Sequence, residues 1–205
     1  GSSFFKYLNR ETKYKIWGTY RKKSNLKKLF NNFKNNYNFI KLDLSAPNNR
    51  LIKIISKIKP HYIFDFASVC LVNESWLNPN YYFKVNFYSK IQMVENFKNF
   101  NFMKKFIYIS TPEVFGSTKL PAKENQKVYL PSTPYALSKL NMENLLSTYN
   151  NRQKKSIIVR ASNFYGLDQL EHRLIPKLIK FLKSRKKFPL HGKGDSKRNF
   201  IFEDD

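Results

Sequence analysis

The chain has 205 residues, with 38 Lys+Arg against 14 Asp+Glu, a formal charge of +24 and a pI near 10.0. That length is enough for one or two domains with a real core, and 41% hydrophobic residues with 17% aromatics exclude a disordered chain. No apolar run approaches the roughly 18 residues of a membrane span, nothing reads as a signal peptide, and the single Cys70 excludes an internal disulfide framework or a cysteine zinc cage. With His61, His172 and His191 scattered, no metal site is expected, and a reducing, cytoplasmic setting is.

Short β-branched and aromatic runs alternate with helix-length amphipathic stretches, the pattern of an α/β fold with a parallel sheet. After an amphipathic opening, Phe4-Phe5-Lys6-Tyr7-Leu8, the first strand is expected over Tyr14–Tyr20. A helix over Leu26–Phe33, an Asn-rich turn over Asn31–Asn38 and a strand over Phe39–Leu42 follow. Next come a helix over Arg50–Ile58, stopped by Lys59-Pro60 because the residue before Pro avoids αR, and a strand over Tyr62–Phe66. The spacing then predicts a helix over Tyr81–Phe97, a strand over Lys105–Ser110, a helix over Pro134–Asn150 and a strand over Ser156–Ala161. A last helix is expected over His172–Ser184, before a strand-like run at Asn199–Phe202. A doubly wound sheet normally opens with a central strand and a Gly-rich phosphate loop, and neither is present. The chain therefore reads as a fragment truncated at both ends. Gly1-Ser2-Ser3 is either an expression scar or the end of that loop.

Two clusters can carry chemistry. Tyr135 and Lys139 stand at i and i+4, which share a helix face, so the ammonium favours the ionised phenol and makes it a base near neutral pH. Spacing alone is weak, because Tyr37/Lys41 has it too, but Tyr37 lies in the Asn-rich turn. Tyr135 instead follows Ser132-Thr133-Pro134, a helix-start signal. The second cluster, Ser110-Thr111-Pro112-Glu113-Val114-Phe115-Gly116, leaves the C-terminal end of a strand, where open α/β sheets bind ligands. Thr111 is a donor for a sugar oxygen and Glu113 a candidate base; a capped turn is the alternative.

In register over the whole chain, these segments resemble the extended short-chain dehydrogenase/reductases that act on nucleotide sugars, the NAD-dependent epimerase/dehydratase family. Ile107 to Gly116 resembles its strand and catalytic threonine, and Ser132 to Lys139 its catalytic helix. Arg160-Ala161-Ser162-Asn163-Phe164-Tyr165-Gly166 resembles its substrate-side strand, and His191-Gly192-Lys193-Gly194 through Arg198-Asn199-Phe200-Ile201 its nucleotide-contacting segment. Asn78-Pro79 and Asn86 also match. The resemblance implies a Rossmann-like, doubly wound α/β sheet, lacking its first strand and Gly-rich loop, over residues 1–165. Residues 166–205 would begin a smaller substrate-binding region.

By the same resemblance, Tyr135 is the base at the sugar C4 hydroxyl and also binds the cofactor, Lys139 lowers its pKa and holds the nicotinamide ribose, and Thr111 bonds the C4 oxygen. Asp43 and Leu44 would hold the adenine, Phe66, Ala67 and Ser68 would line the cofactor, and Asn163 and Arg198 would hold the nucleotide diphosphate. Glu113 points to a 4,6-dehydratase, which removes the C5 proton α to a C4 ketone, loses the C6 hydroxyl and returns the hydride to C6. Pro112 departs from the dehydratases that place a general acid there. A 4-epimerase and a UDP-glucuronate decarboxylase are the alternatives. Arg21, in Trp17-Gly18-Thr19-Tyr20-Arg21, leans the cofactor toward NADP over NAD, since Arg suits a 2′-phosphate. The expected partner is a nucleoside-diphosphate sugar, with a homodimer in the full-length enzyme, and the 205-residue piece is expected to be inactive by itself.

The charge has a second explanation. Lys, Asn, Phe, Ile and Tyr, residues that A and T alone can encode, make up 100 of the 205 positions, so the lysine excess follows composition. A non-catalytic, basic RNA-binding Rossmann-like protein is the rival of another class. It needs the cations gathered on one face and has no use for the Thr111/Glu113/Tyr135/Lys139 set.

Overall fold

The structure, a computed structural model, describes residues 1–22, 38–46, 49–118, 120–153, 155–167, 169–189, 194 and 197–205. The expected helix over Leu26–Phe33, most of the Asn31–Asn38 turn, Tyr37 and His191–Lys193 lie outside the described residues. No helix among the described residues is long and apolar enough to cross a membrane.

The described residues fall into two compact units, one of Thr19–Arg21 with Ile40–Ala161, the other of Gly1–Gly18 with Ser162–Asp205 and the described part of Lys22–Phe39. The first is built on a parallel three-stranded sheet of order β3-β4-β5, with β3 at Tyr62–Asp65, β4 at Lys105–Ser110 and β5 at Ser156–Arg160. Asp65 is in register with Tyr108, and Ser110 with Arg160, so the C-terminal ends of the strands align. β4 is the middle strand. Its Phe106, Ile107 and Tyr108 are all buried, whereas β3 and β5 alternate in burial as edge strands do.

Helices pack on this sheet. Ile55 from α2 (Asn49–Ile58), Met93 and Val94 from α5 (Ser89–Glu95), and Met142 and Leu146 from α6 (Pro134–Gln153) form one core with Phe97, Phe100, Met103, Phe106 and Tyr108. Leu140 of α6 belongs to a second cluster with Val114 and Phe115, so this helix is buried on two sides. Full burial of side chains such as Phe106 and Leu146 is worth about 1.5–3 kcal/mol each.

The expected helix over Tyr81–Phe97 is interrupted. It resolves into α4 (Pro79–Phe83), a π-helical turn at Lys84–Tyr88, α5, and a 3₁₀ turn at Asn96–Asn99, after a separate α3 at Val72–Leu77. The π turn carries the fully buried Asn86, whose amide donates to Val69 O and Ser138 Oγ and whose Oδ1 accepts from Val69 N–H, each at 3.0 Å. Lys59 does stop α2, yet it leaves αR through the left-handed region, at φ 53°, rather than by an extended conformation. The other strands and helices lie within three residues of expectation at each end.

In the second unit, α1 (Ser2–Glu11) buries Phe5, which stacks on Phe39 at 5.0 Å. Gly18 is required there, because a Cβ would meet the Phe39 ring at 2.4 Å. The short parallel strands β6 (Asn163–Tyr165) and β7 (Phe200–Phe202) pair with Phe164 opposite Ile201, and the exposed Ile179 and Leu182 sit on α7 (Leu174–Lys183). The remaining two-stranded sheet pairs β1 (Trp17–Tyr20) with β2 (Asn38–Lys41). The fold is Rossmann-like, as expected.

Candidate active site

The N-terminus of α6 begins as the sequence predicts. Thr133 Oγ1 accepts the Ala136 N–H at 3.1 Å, and Pro134 opens the helix. Tyr135 follows, 8% exposed, with its ring edge-on to Tyr82 at 6.4 Å. Tyr82 is itself fixed, since its hydroxyl donates to Leu71 O at 2.6 Å and accepts from Leu71 N–H at 3.1 Å.

One helical turn on, Lys139 is 2% exposed. Its ammonium donates to Ile109 O on β4 at 2.7 Å and lies 4.7 Å from the Tyr108 ring centroid. Burial, followed by the positive charge of Lys90, lowers its pKa from the usual 10.5 to about 7. Tyr108 moves the other way, well above the ordinary tyrosine value, because it is desolvated.

Thr111 leaves β4 in an extended conformation and is 7% exposed. It caps a 3₁₀ turn at Pro112–Phe115, accepting the Glu113 N–H at 3.3 Å, so the capped-turn reading also holds. The turn ends at Gly116, whose φ of +70° and contact with Leu130 O, 2.1 Å from a Cβ placed there, allow no side chain.

A buried ionic network braces this turn. Glu143, one turn beyond Lys139 and 2% exposed, accepts from Ser110 Oγ, and its two oxygens accept from Arg160: Oε1 from Nε (3.2 Å) and Oε2 from Nη2 (2.7 Å). Arg160 also donates to Tyr129 OH at 2.8 Å and lies 4.9 Å and 5.0 Å from the Phe115 and Tyr129 ring centroids. The sequence reading had no role for Glu143. Its i+4 spacing from Lys139 was the available signal.

The expected cofactor residues are spread over two loops of the same unit. Asp43, just after β2, accepts from Ser45 Oγ (2.6 Å) and Ser45 N–H (2.9 Å), and these bonds hold its carboxyl below the usual range. It also caps the strand end, with Leu44 in the turn that it forms. Phe66 and Ala67 are exposed after β3 and Ser68 is half-buried. Arg21 donates to Tyr81 OH at 2.6 Å. The substrate-side pair lies in the other unit: exposed Asn163 donates to Asn199 O at 3.2 Å, and exposed Arg198 to the neighbouring Lys197 O at 3.4 Å. The structure brings Tyr135, Lys139 and Thr111 to the C-terminal end of β4 within one unit, with Glu113 on the adjoining turn.

The family description "NAD dependent epimerase/dehydratase family" matches residues 1–205. The chain is 33% identical over 167 residues to a dTDP-D-glucose 4,6-dehydratase of Dictyostelium discoideum, covering 76% of this chain and 38% of that protein. Among solved structures it is similar to a UDP-N-acetylglucosamine 4-epimerase from Methanobrevibacter ruminantium in complex with UDP-N-acetylmuramic acid. There the TM-score is 0.85 and the identity 27%, over 99% of this chain and 65% of that one. A dTDP-glucose 4,6-dehydratase from Bacillus anthracis in complex with NAD gives a TM-score of 0.83 at 25% identity, over 100% and 64%. The chain spans under half the length of the Dictyostelium and mouse dehydratases that it matches. With the whole of its sequence matched, this chain belongs to the NAD-dependent epimerase/dehydratase family.

Proposed function

We propose that this chain carries the catalytic residues of a nucleotide-sugar enzyme that oxidises the C4 hydroxyl of a nucleoside-diphosphate hexose. The observation that carries the reading is the buried Lys139 ammonium, anchored on Ile109 one turn from Tyr135. Tyr135 takes the C4 hydroxyl proton, Lys139 supplies the positive charge that favours its phenolate, and Thr111 orients the C4 oxygen. Lys139 uses one of three N–H donors on Ile109, which leaves two suited to ribose hydroxyls, so the donor set fits a nicotinamide cofactor. When bound, that cofactor would supply reversible hydride chemistry at C4. Phe66, Ala67 and Ser68 would line it, with Asp43 and Leu44 at the adenine. NAD in the Bacillus anthracis relative supports NAD(P); NADP rests on Arg21 alone. Asn163 and Arg198 would hold the diphosphate, the cofactor domain running to about residue 165 and the substrate region starting there.

Two branches share this first step. The 4-epimerase branch needs no further acid or base, which suits Pro112, a residue that cannot donate a proton, and it is supported by the likeness to the Methanobrevibacter epimerase. The 4,6-dehydratase branch is supported by Glu113 and by the Dictyostelium relative. In the second branch Glu113 removes the C5 proton, so Glu113→Gln stops elimination; in the first it leaves C4 inversion intact. Product analysis of the full protein and this variant on a panel of nucleotide sugars tests the reading. Absence of any C4 redox product across the panel overturns it.

A further inference from the structure

A second buried lysine shares the ring that Lys139 uses. Lys90, on α5, is 1% exposed, and its ammonium lies 2.6 Å from Asp65 Oδ2 at the end of β3. The same ammonium donates to Ala67 O at 2.7 Å, while Asp65 Oδ1 accepts Ala67 N–H at 3.1 Å. Both polar groups of the Ala67 backbone are therefore held by this one ion pair. Lys90 Nζ lies 5.3 Å from the Tyr108 ring centroid and Lys139 Nζ 4.7 Å from it, so the two ammonium groups are at most 10.0 Å apart. The Tyr108 ring is fully buried, and its hydroxyl has no hydrogen-bond partner among the described residues.

A buried ion pair is poor value for stability alone, because well-packed apolar residues do as well without the cost of desolvating two charges. We propose that Lys90 is a positioning residue of the candidate active site, fixing Ala67 through its pair with Asp65 and placing a second cation against the Tyr108 ring that Lys139 occupies. The inference rests on the Tyr135/Lys139 reading above and adds to it what sets the charge of Lys139. Lys90, from α5, is the cation that opposes protonation of Lys139. Asp65 from β3, Cys70 from the loop after it and Glu143 from α6 act in the favourable direction. Burial is the larger cause of the lowered Lys139 pKa, and Lys90 adds to it, so that Lys139 titrates closer to neutral pH than burial alone would set it.

The test is an NMR titration of ¹³Cε-labelled lysines in the 205-residue chain, with the Lys139 signal identified by its loss in Lys139→Arg. Replacing Lys90 by Met removes the cation and is expected to raise the Lys139 midpoint by about one pH unit. Lys90→Gln, a second neutral variant, should do the same if the Met variant does not fold. Lys90→Arg keeps the charge and should leave the midpoint in place, which a merely structural role would not predict. A Lys139 midpoint that stays put in the neutral variants, or moves as far in Lys90→Arg, overturns the proposal. If the midpoint shifts while the full protein shows no turnover of any nucleotide sugar, the coupling stands and the functional reading falls.

Discussion

The two units treat their candidate functional residues in opposite ways. At the end of β4 the polar groups are buried and braced: Lys139 on Ile109, Ser110 and Arg160 on Glu143, Lys90 on Asp65. In the β6–β7 unit Asn163 and Arg198 are exposed, Asn163 donating to Asn199 O and Arg198 to Lys197 O on the approach to β7. The difference is chemical. Lowering the pKa of a lysine takes desolvation, which a packed core provides. Holding a diphosphate needs donors that can remain hydrated until the ligand displaces the water.

The contrast can be broken in four places. Tyr135→Phe in the full protein should lower C4 oxidation about 10²–10⁴-fold, as measured by steady-state turnover. Weak loss of turnover would mean that the buried side is not the reacting side. Glu143→Ala leaves Arg160 without its buried partner and should destabilise the 205-residue chain by about 3 kcal/mol in denaturant unfolding.

The third concerns pH. The folded pKa of Lys139, about 7, lies below its unfolded value, so the unfolded chain holds the extra proton between pH 7 and 10.5. The penalty for burying the charge is present in full below pH 7 and is relieved as pH rises. Stability should therefore increase by roughly 2–3 kcal/mol between pH 7 and 9, a gain that Lys139→Met should abolish. The smallest effect belongs to the exposed side. Arg198→Ala should change stability by no more than about 0.5 kcal/mol, yet raise KM for the nucleotide sugar in the full protein with little change in kcat.

Much of the layout was legible before the structure. β4 over Lys105–Ser110 was readable because a middle strand is a continuous apolar run, and the α6 start because Thr133-Pro134 is local capping chemistry. The interruption at Lys84–Tyr88 was not, since a π turn arises from the need to bring Asn86 to Val69, residues 17 apart. Asp43 shows the same limit from the other side: its type fits adenine binding, and only the structure shows that it also accepts from Ser45 Oγ and N–H.

What the sequence determined by itself is the order of elements and the register of Thr111, Glu113, Tyr135 and Lys139, which rest on local periodicity, capping and short-range spacing, and the family, which rests on the resemblance of whole segments. Only the tertiary structure singled out Lys90, which looks like any other of the 38 cations until the fold buries it against Asp65, and only it gave Arg160 its buried partner Glu143. Desolvation and pairing are long-range properties, set by side chains brought together across the sheet, and no local pattern carries them.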